Sequence, residues 1–255
     1  MLLTDGNPNT NEELRVYEST ILNVAKTESI DLDVKRGLAT EEIAQDVLDF
    51  VLNRSAEPDP RAGSRRTYGV ADVVVTRQMK RWHALHSLEI FYRDGFNNQL
   101  NDRYKEKFFE YRQLAKRARE QTFQFGVGLV NEPLPAPGVP VFGYVSGSLA
   151  ETIYYGRVAW VNALGQEGAP GEVTSFEVPV GSRPTVGVSN APAAATGFHV
   201  YLGTSPELLE RQTSTPVAVG DTFVLPDTGL ADGPAPGDGQ DPDVYLTGGS
   251  TLRRG

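Results

Sequence analysis

Residues 92–107 of this chain read Tyr-Arg-Asp-Gly-Phe-Asn-Asn-Gln-Leu-Asn-Asp-Arg-Tyr-Lys-Glu-Lys. Apolar and aromatic residues recur in this stretch at helical spacing, but it is unusually rich in amides. Asparagine is a poor helix former because its side chain competes for backbone hydrogen bonds. Three asparagines between Asn97 and Asn101 therefore indicate a helical segment that is kept for contacts with partners rather than for helicity.

Helical patterns extend from this stretch in both directions. Thr10 and Glu13 have the spacing of a capping box, and a second helix is predicted to follow Thr40. Thr76 is the predicted N-cap of a third helix. After Gly95 a fourth and longest helix is predicted, with apolar residues at i,i+3 and i,i+4 over about six turns: Phe96, Leu100, Tyr104, Phe108, Tyr111, Ala115 and Ala118. These helices predict an N-terminal helical bundle.

The periodicity changes after residue 130. Five Pro or Gly residues between Pro133 and Pro140 predict a stiff linker, and short alternating runs follow it at the spacing of an all-β sandwich. The predicted fold class is therefore α+β in separate domains: an N-terminal helical bundle, a β-sandwich and an extended C-terminal tail. The predicted boundaries are 1–130 for the helical domain, 131–140 for the Pro-rich linker, 141–230 for the β domain and 231–255 for the tail. The predicted strands cover 153–163, 174–180, 185–189, 197–202 and 222–225.

The composition excludes several classes of protein. The chain has no cysteine, so disulfides and thiolate metal sites are excluded. Its formal net charge of −9 argues against a dedicated nucleic-acid binder. Eleven Lys or Arg against five acids lie between Arg77 and Arg119, so this region is basic and the remainder strongly acidic. Such oppositely charged regions suit a protomer that binds its neighbour, although a solvated helix face explains the same pattern. No signal peptide or membrane span is expected.

The sequence contains no recognisable catalytic motif, and we expect no enzyme activity, no cofactor and no metal. His83 and His86 lie three residues apart on a predicted helix, where they would reach a metal only with a further ligand such as Glu89. Histidines on the helix surface or between helices are the favoured interpretation. Four aromatic residues of the β half would offer a sugar-binding surface if exposed, but large residues on sandwich strands usually form the core: Tyr154, Tyr155, Trp160 and Tyr201.

Several segments together resemble a known family. Val73–Thr76, Arg81–His83, Tyr92–Asp94, Asn97–Tyr104 and Glu110–Tyr111 resemble the head-to-tail adaptor proteins of tailed bacteriophages, also called connector or head-completion proteins. The resemblance spans residues 28–130. Tyr154–Ala163 with Gly165–Gly168, and Ala195–Tyr201, are similar to strands of fibronectin-III or immunoglobulin-like modules of phage structural proteins. The first resembles a late strand and the second an early one, so their order is reversed.

The resemblance implies a virion protein at the head-tail junction, assembled in the host bacterial cytoplasm. About twelve copies would form a ring between the portal and the tail, continue the DNA channel without sequence specificity, and provide the tail-attachment surface in contact with neck proteins. The predicted contacts between protomers are Arg93, Asn97, Asn98, Asn101, Arg103 and Lys107. The predicted portal-docking residues are Val244, Tyr245, Leu246, Leu252, Arg253 and Arg254.

Two other functions remain open at this stage. One is a cell-surface or carbohydrate-binding module carried on a helical stalk, which would expose aromatic side chains on the β domain. The other is a hydrolase that acts on the cell wall during entry, which would depend on a pair of carboxylates.

Overall fold

The structure, a computed structural model, describes residues 1–55, 67–99 and 102–247 and has a mixed α+β fold, as predicted. It contains two compact units. The helical unit comprises residues 6–131 and the returning segment from Asp241 onward, and the β unit comprises residues 1–5 and 132–240. The chain therefore passes from the helical unit to the β unit after Asn131 and returns after Gln240.

The helical unit is built from helices with these bounds: α1 Asn11–Leu14, α2 Ile21–Glu28, α3 Leu32–Ser55, α4 Arg77–Gln99 and α5 Lys105–Phe125. The predicted capping box is confirmed, because the Thr10 hydroxyl accepts from the backbone N–H of Glu13 and the Glu13 carboxylate accepts from that of Thr10. The prediction that a helix starts after Thr40 was wrong. Helix α3 begins at Leu32, since the Asp31 side chain accepts the backbone N–H of Asp33 at 2.8 Å.

The single long helix predicted after Gly95 is divided between α4 and α5. Helix α4 runs through Gly95 to Gln99, a 3₁₀ turn covers Asp102–Tyr104, and α5 begins at Lys105. The helices pack antiparallel, because the ring of Tyr92 stacks on that of Tyr111 at 5.5 Å and Trp82 meets Phe123 at 5.6 Å. Asn97 and Asn98 therefore lie in the last turn of α4, which suits their low helix propensity.

A small antiparallel sheet completes the helical unit. Its strands are β1 Val73–Val74, β2 Val127–Leu129 and β11 Val244–Leu246, in the order β1-β2-β11. Gly128 is required where β2 passes Pro242, because a Cβ at this position would lie 2.7 Å from the Cγ of Pro242. The returning segment of the chain thus supplies an edge strand.

The β unit consists of two antiparallel sheets. The strands are β3 Val141–Ser146, β4 Thr152–Asn162, β5 Thr174–Val178, β6 Ser182–Gly187, β7 Ala195–Ser205, β8 Leu208–Arg211, β9 Val217–Ala218 and β10 Phe223–Val224. One sheet has the order β10-β6-β3 and the other β5-β4-β7-β8, with β9 also paired to β7. The five strands predicted from alternation are confirmed as β4, β5, β6, β7 and β10.

Side chains from both sheets form one core. Phe142 of β3 stacks on Phe176 of β5 at 3.9 Å, and Trp160 of β4 meets its cross-strand partner Phe198 of β7 edge-to-face. The core interpretation is confirmed for Tyr154 and Trp160, which lie in this core, and for Tyr201, which lies in a smaller cluster with Ala159 and Leu209. Tyr155 packs against that smaller cluster and is partly buried. Three of the four aromatic side chains considered for a sugar-binding surface are therefore buried.

The Pro-rich stretch after residue 131 packs into the β unit. Leu134 is fully buried in its core, and the Leu134 backbone N–H donates to the side chain of Gln240 at 2.7 Å. The Ala136 N–H donates to Asp5 at 2.8 Å. The stretch predicted as a linker therefore contributes to packing.

Leu134 and Val139 test this packing, because both lie within the Pro-rich stretch but differ in burial. We expect Leu134→Ala to lower the free energy of unfolding by about 2–4 kcal/mol through lost burial and a cavity. Val139 is 58 % exposed, so Val139→Ala should change the free energy of unfolding by less than about 0.5 kcal/mol. Calorimetric unfolding of the full chain measures both. Equal effects of the two substitutions would show that the stretch is only a linker.

Candidate assembly surfaces

The end of the α4–α5 hairpin exposes an aromatic cluster. We define the hairpin-tip surface as Arg93, Phe96, Asn97, Phe108, Phe109 and Arg112. The rings of Phe96 and Phe108 are 6.3 Å apart, those of Phe108 and Phe109 are 5.2 Å apart, and Phe109 is 45 % exposed. The Arg112 guanidinium lies over Phe108 at 6.0 Å. Exposed aromatic and arginine side chains at one place are typical of the centres of protein interfaces.

The predicted protomer-contact residues have different environments. Arg93 and Asn97 are exposed at the hairpin tip, one turn apart on α4. The side chain of Asn98 and the whole of Asn101 lie outside the described residues. Two of the six predicted residues are thus exposed on α4, and the exposed Phe109 of α5 was not singled out from the sequence.

Arg103 and Lys107 bind acidic residues of their own unit. The Lys107 ammonium lies 2.6 Å from Glu18, and Arg103 lies 3.4 Å from Glu28. The Tyr111 hydroxyl also donates to Glu18, at 3.1 Å. Burial opposes ionisation of Glu18, but hydrogen bonds from Lys107, Thr20 and Tyr111 hold its pKa below the usual value. These contacts fasten the α1–α2 region to α5, so the two basic residues have an internal role.

Strand β11 contains three of the predicted portal-docking residues. Val244, Tyr245 and Leu246 pair with Leu129, Gly128 and Val127. Val244 is 40 % and Tyr245 56 % exposed, and β11 lies at the edge of its sheet. Asp243 fixes the start of the strand, because its carboxylate accepts the Asn131 N–H at 2.7 Å. The other three docking residues, Leu252, Arg253 and Arg254, lie outside the described residues.

A groove of about 450 Å³ runs between α3, α4 and α5. Glu42, Asp46 and Asp49 form one wall, and the other wall carries the basic residues Arg112, Lys116 and Arg119. Asp46 accepts two hydrogen bonds from Arg119, the shorter at 2.7 Å. The sequence contained a signal for this groove, because the acidic and the basic triplets share the same four-then-three spacing on their helices.

The two neighbouring histidines of α4 have different partners. His83 is fully buried: its Nδ1 accepts from the Asn9 amide at 3.0 Å, and its Nε2 donates to the Arg36 carbonyl at 3.2 Å. His86 contacts carboxylates with both nitrogens, Glu89 at 2.9 Å and Glu42 at 2.8 Å. Of the two favoured interpretations, helix-surface or interhelix histidines, the contacts with α3 support the second. Among the described residues, no group of three His, Asp or Glu side chains is arranged to hold a metal ion.

These partners shift the two pKa values in opposite directions. Burial lowers the pKa of His83 to about 4. Burial also disfavours charge on His86, but hydrogen bonds to Glu89 and Glu42 raise its pKa above the ordinary value. His83 therefore holds the N-terminal segment and α3 to α4 as a neutral ring, and His86 joins α3 to α4 as an imidazolium.

We expect His83 to stay neutral at pH 5.5 while His86 titrates above pH 6.5, which NMR titration of the imidazole protons measures. Between about pH 6.5 and 4, the histidine at position 83 takes up a proton only in the unfolded chain. The free energy of unfolding therefore falls by about 1.4 kcal/mol for each pH unit as the pH is lowered through this range. His86 acts oppositely: its stabilisation is full below pH 6.5 and is lost as pH rises through its folded pKa. His86→Gln assigns the signals. Titration of both rings together near pH 6.5 would contradict the two environments.

Charge reversal separates internal from exposed basic residues. Lys107→Glu should lower the free energy of unfolding by about 1–3 kcal/mol, because it removes the partner of the partly buried Glu18 carboxylate and adds a like charge beside it. Arg93→Glu should change it by less than about 0.5 kcal/mol, since Arg93 is exposed. Denaturant unfolding of the two matched variants measures the difference. Equal stability would show that the Lys107–Glu18 pair has no internal role.

No protein-family model matches this sequence, and no curated protein is significantly similar to it. Among the helices of residues 1–55, 67–99 and 102–247, none has both the length and the apolar character needed to cross a membrane.

Proposed function

We propose that this protein is a non-enzymatic virion component of a tailed bacteriophage, a head-to-tail adaptor that assembles into a ring of about twelve copies between portal and tail. The observation that carries the proposal is the hairpin-tip surface. It exposes Phe109 on α5, and Arg93 and Asn97 on α4, within the segment that resembles the adaptor family. A contact between copies would bury Phe109 together with the adjoining rings of Phe108 and Phe96.

The basic excess of residues 77–119 supports a position around DNA. Lys and Arg side chains bind phosphates without reading the bases, as a channel that DNA passes through requires. Several of these side chains are exposed on α5, among them Lys116 and Arg117. We assign passing genomic DNA to this ring as a sequence-independent partner, and the virion neck as its location.

The β unit supports the finer assignment of an immunoglobulin- or fibronectin-III-like sandwich added to the adaptor. Two antiparallel sheets share a core, and the two strands that carry the resemblance, β4 and β7, are antiparallel neighbours. Adjacent pairing accommodates them in either chain order. We propose that this module decorates the ring.

Strand β11 supports a portal contact by strand addition. An edge strand presents unpaired backbone groups to a partner strand, and pockets on the partner then select its side chains. The exposed Val244 and Tyr245 would supply such side chains. The residues that follow, including Arg253 and Arg254, would extend the contact.

The mass of the full chain in solution, alone and mixed with purified portal rings, tests the proposal. We expect about twelve copies to join each portal ring, which light scattering coupled to gel filtration measures. A wild-type chain that stays monomeric beside portal rings would exclude the adaptor function, and glycan binding by the full chain would then favour the carbohydrate-binding alternative.

A further inference from the structure

Strand β3 forms an open edge of the β unit. It pairs with β6 along its whole length without a register shift, and no strand within residues 1–55, 67–99 and 102–247 pairs with its other side. Val141 is 62 %, Tyr144 60 % and Val145 39 % exposed. An apolar edge strand of this kind is a template for pairing with a strand of another chain.

The other edges of the β unit are short, charged or covered. Strands β9 and β10 have two residues each, and β5 carries Glu177. The edge of β8 is covered by the chain that follows, since the Arg211 N–H donates to the Pro234 carbonyl at 3.0 Å. The stretch Val139–Gly147 contains no charged residue, and its single proline precedes β3. Strand β3 therefore lacks the features that keep edge strands apart.

The hydrogen bonds of β6 show which backbone groups of β3 point outward. The Pro184 carbonyl accepts the Leu225 N–H at 3.0 Å, so the backbone of Pro184 faces β10. Tyr144 lies opposite Pro184, and the backbone groups of an antiparallel strand alternate between its two sides. The N–H and C=O groups of Phe142 and Tyr144 therefore point away from the sheet. In the part of the chain that the structure describes, no strand pairs with them.

The sequence of this edge is self-complementary. Strand β3 begins Val-Phe-Gly-Tyr-Val, which is symmetric in residue type about Gly143. If two such edges pair antiparallel about Gly143, Phe142 of one copy lies opposite Tyr144 of the other. Val141 then lies opposite Val145. Aromatic and β-branched residues in these positions form favourable cross-strand pairs.

We propose that β3 pairs with β3 of a second copy of this chain, antiparallel and about a twofold axis at Gly143, so that one sheet continues through two β units. The outward backbone groups lie at the right positions, because Phe142 of each copy exchanges both hydrogen bonds with Tyr144 of the other. The inference goes beyond the proposed ring, since a twofold contact joins copies in pairs.

The ends of the strand fit this register. Ser146 lies opposite Pro140 of the second copy, which has no N–H to donate. The Ser146 carbonyl needs no such donor, because it already accepts from the Arg183 guanidinium at 3.3 Å. Arg183 is the charged residue of β6, and it lies 3.6 Å from Asp227. Neither β3 nor β6 therefore brings an uncompensated charge to the contact.

Disulfide formation between single-cysteine variants tests the pairing, because the chain has no cysteine of its own. Val141 of one copy and Val145 of the other would have Cα atoms about 4.5 Å apart, within the range that a disulfide spans. Identical positions would lie about 14 Å apart, since four residues separate them along the strands. With oxidised glutathione, an equal mixture of full-length V141C and V145C should form a covalent dimer on a non-reducing gel, and each variant alone should form much less.

A mixture of V141C and L208C is the matched control. Leu208 is also well exposed, at 74 %, but it lies at the start of β8, so this mixture should form little covalent dimer. Cross-linking of V141C and V145C no stronger than in the control would overturn the pairing. Equal cross-linking by the mixture and by each variant alone would overturn the register.

Charged variants test the same contact without a covalent bond. V141E/V145E and V141K/V145K each place like charges opposite one another, so each should weaken pairing by about tenfold or more in light scattering at low salt. An equal mixture of the two should restore pairs that contain both, and circular dichroism should show that both are folded. Pairing of wild-type strength by both variants would overturn the inference.

The outcomes for pairing and for the ring are separable. A chain that adds about twelve copies to a portal ring but gives no Val141–Val145 cross-link would overturn the twofold contact and leave the adaptor function standing. A chain that cross-links in this register but ignores portal rings would support the twofold contact and exclude the adaptor function.

Discussion

The helical unit depends on a row of aromatic ring pairs between α4 and α5. Three pairs together set the antiparallel register of the hairpin: Trp82–Phe123, Tyr92–Tyr111 and Phe96–Phe108. The Tyr92–Tyr111 pair also contacts the N-terminal region, because the Tyr111 hydroxyl donates to the Tyr17 carbonyl and to Glu18. One stacked pair therefore positions the hairpin and the N-terminal helices at once. The same register leaves Phe109 pointing away from the core, so the exposed tip is a direct product of the packing beneath it.

Local patterns in the sequence predicted the elements whose causes are local. The Thr10–Glu13 capping box, the N-cap at Thr76 (whose hydroxyl accepts the Met79 N–H at 3.4 Å) and the alternating strands of the β unit all rest on residues a few positions apart. The hairpin turn was missed for a related reason. The asparagines after Gly95 were interpreted as contact residues of one helix, although poor helix formers serve equally well where a helix stops. Tyr104 shows the difference, because its ring packs against Gly95 and needs the chain to reverse.

Contacts between distant residues were out of reach. The pairing of Val244 with Leu129 joins positions more than a hundred residues apart through a three-residue strand, which leaves no periodic signal. Leu134 looked like part of a linker because prolines flank it, yet its side chain fills the core of the β unit. His86 and Glu42 meet across two helices, so neither the partner nor the charge of the imidazole was visible in the sequence. Of the candidate site, Arg93 and Asn97 were predicted as contacts, whereas Phe109 and the acidic side of α3 required the fold.

The return of the chain to the helical unit sets an order for its biosynthesis. Translation proceeds from the N-terminus, so α1 to α5 and β2 leave the ribosome before any strand of the β unit. The edge of β2 that pairs with Val244–Leu246 stays open until residues 132–240 have followed. An unpaired strand edge on a nascent chain can pair with strands of other chains. Other copies being translated from the same messenger RNA supply such strands. The helical unit is thus completed only after the β unit has been synthesised, and chaperones or other copies of the chain compete for β2 during that interval.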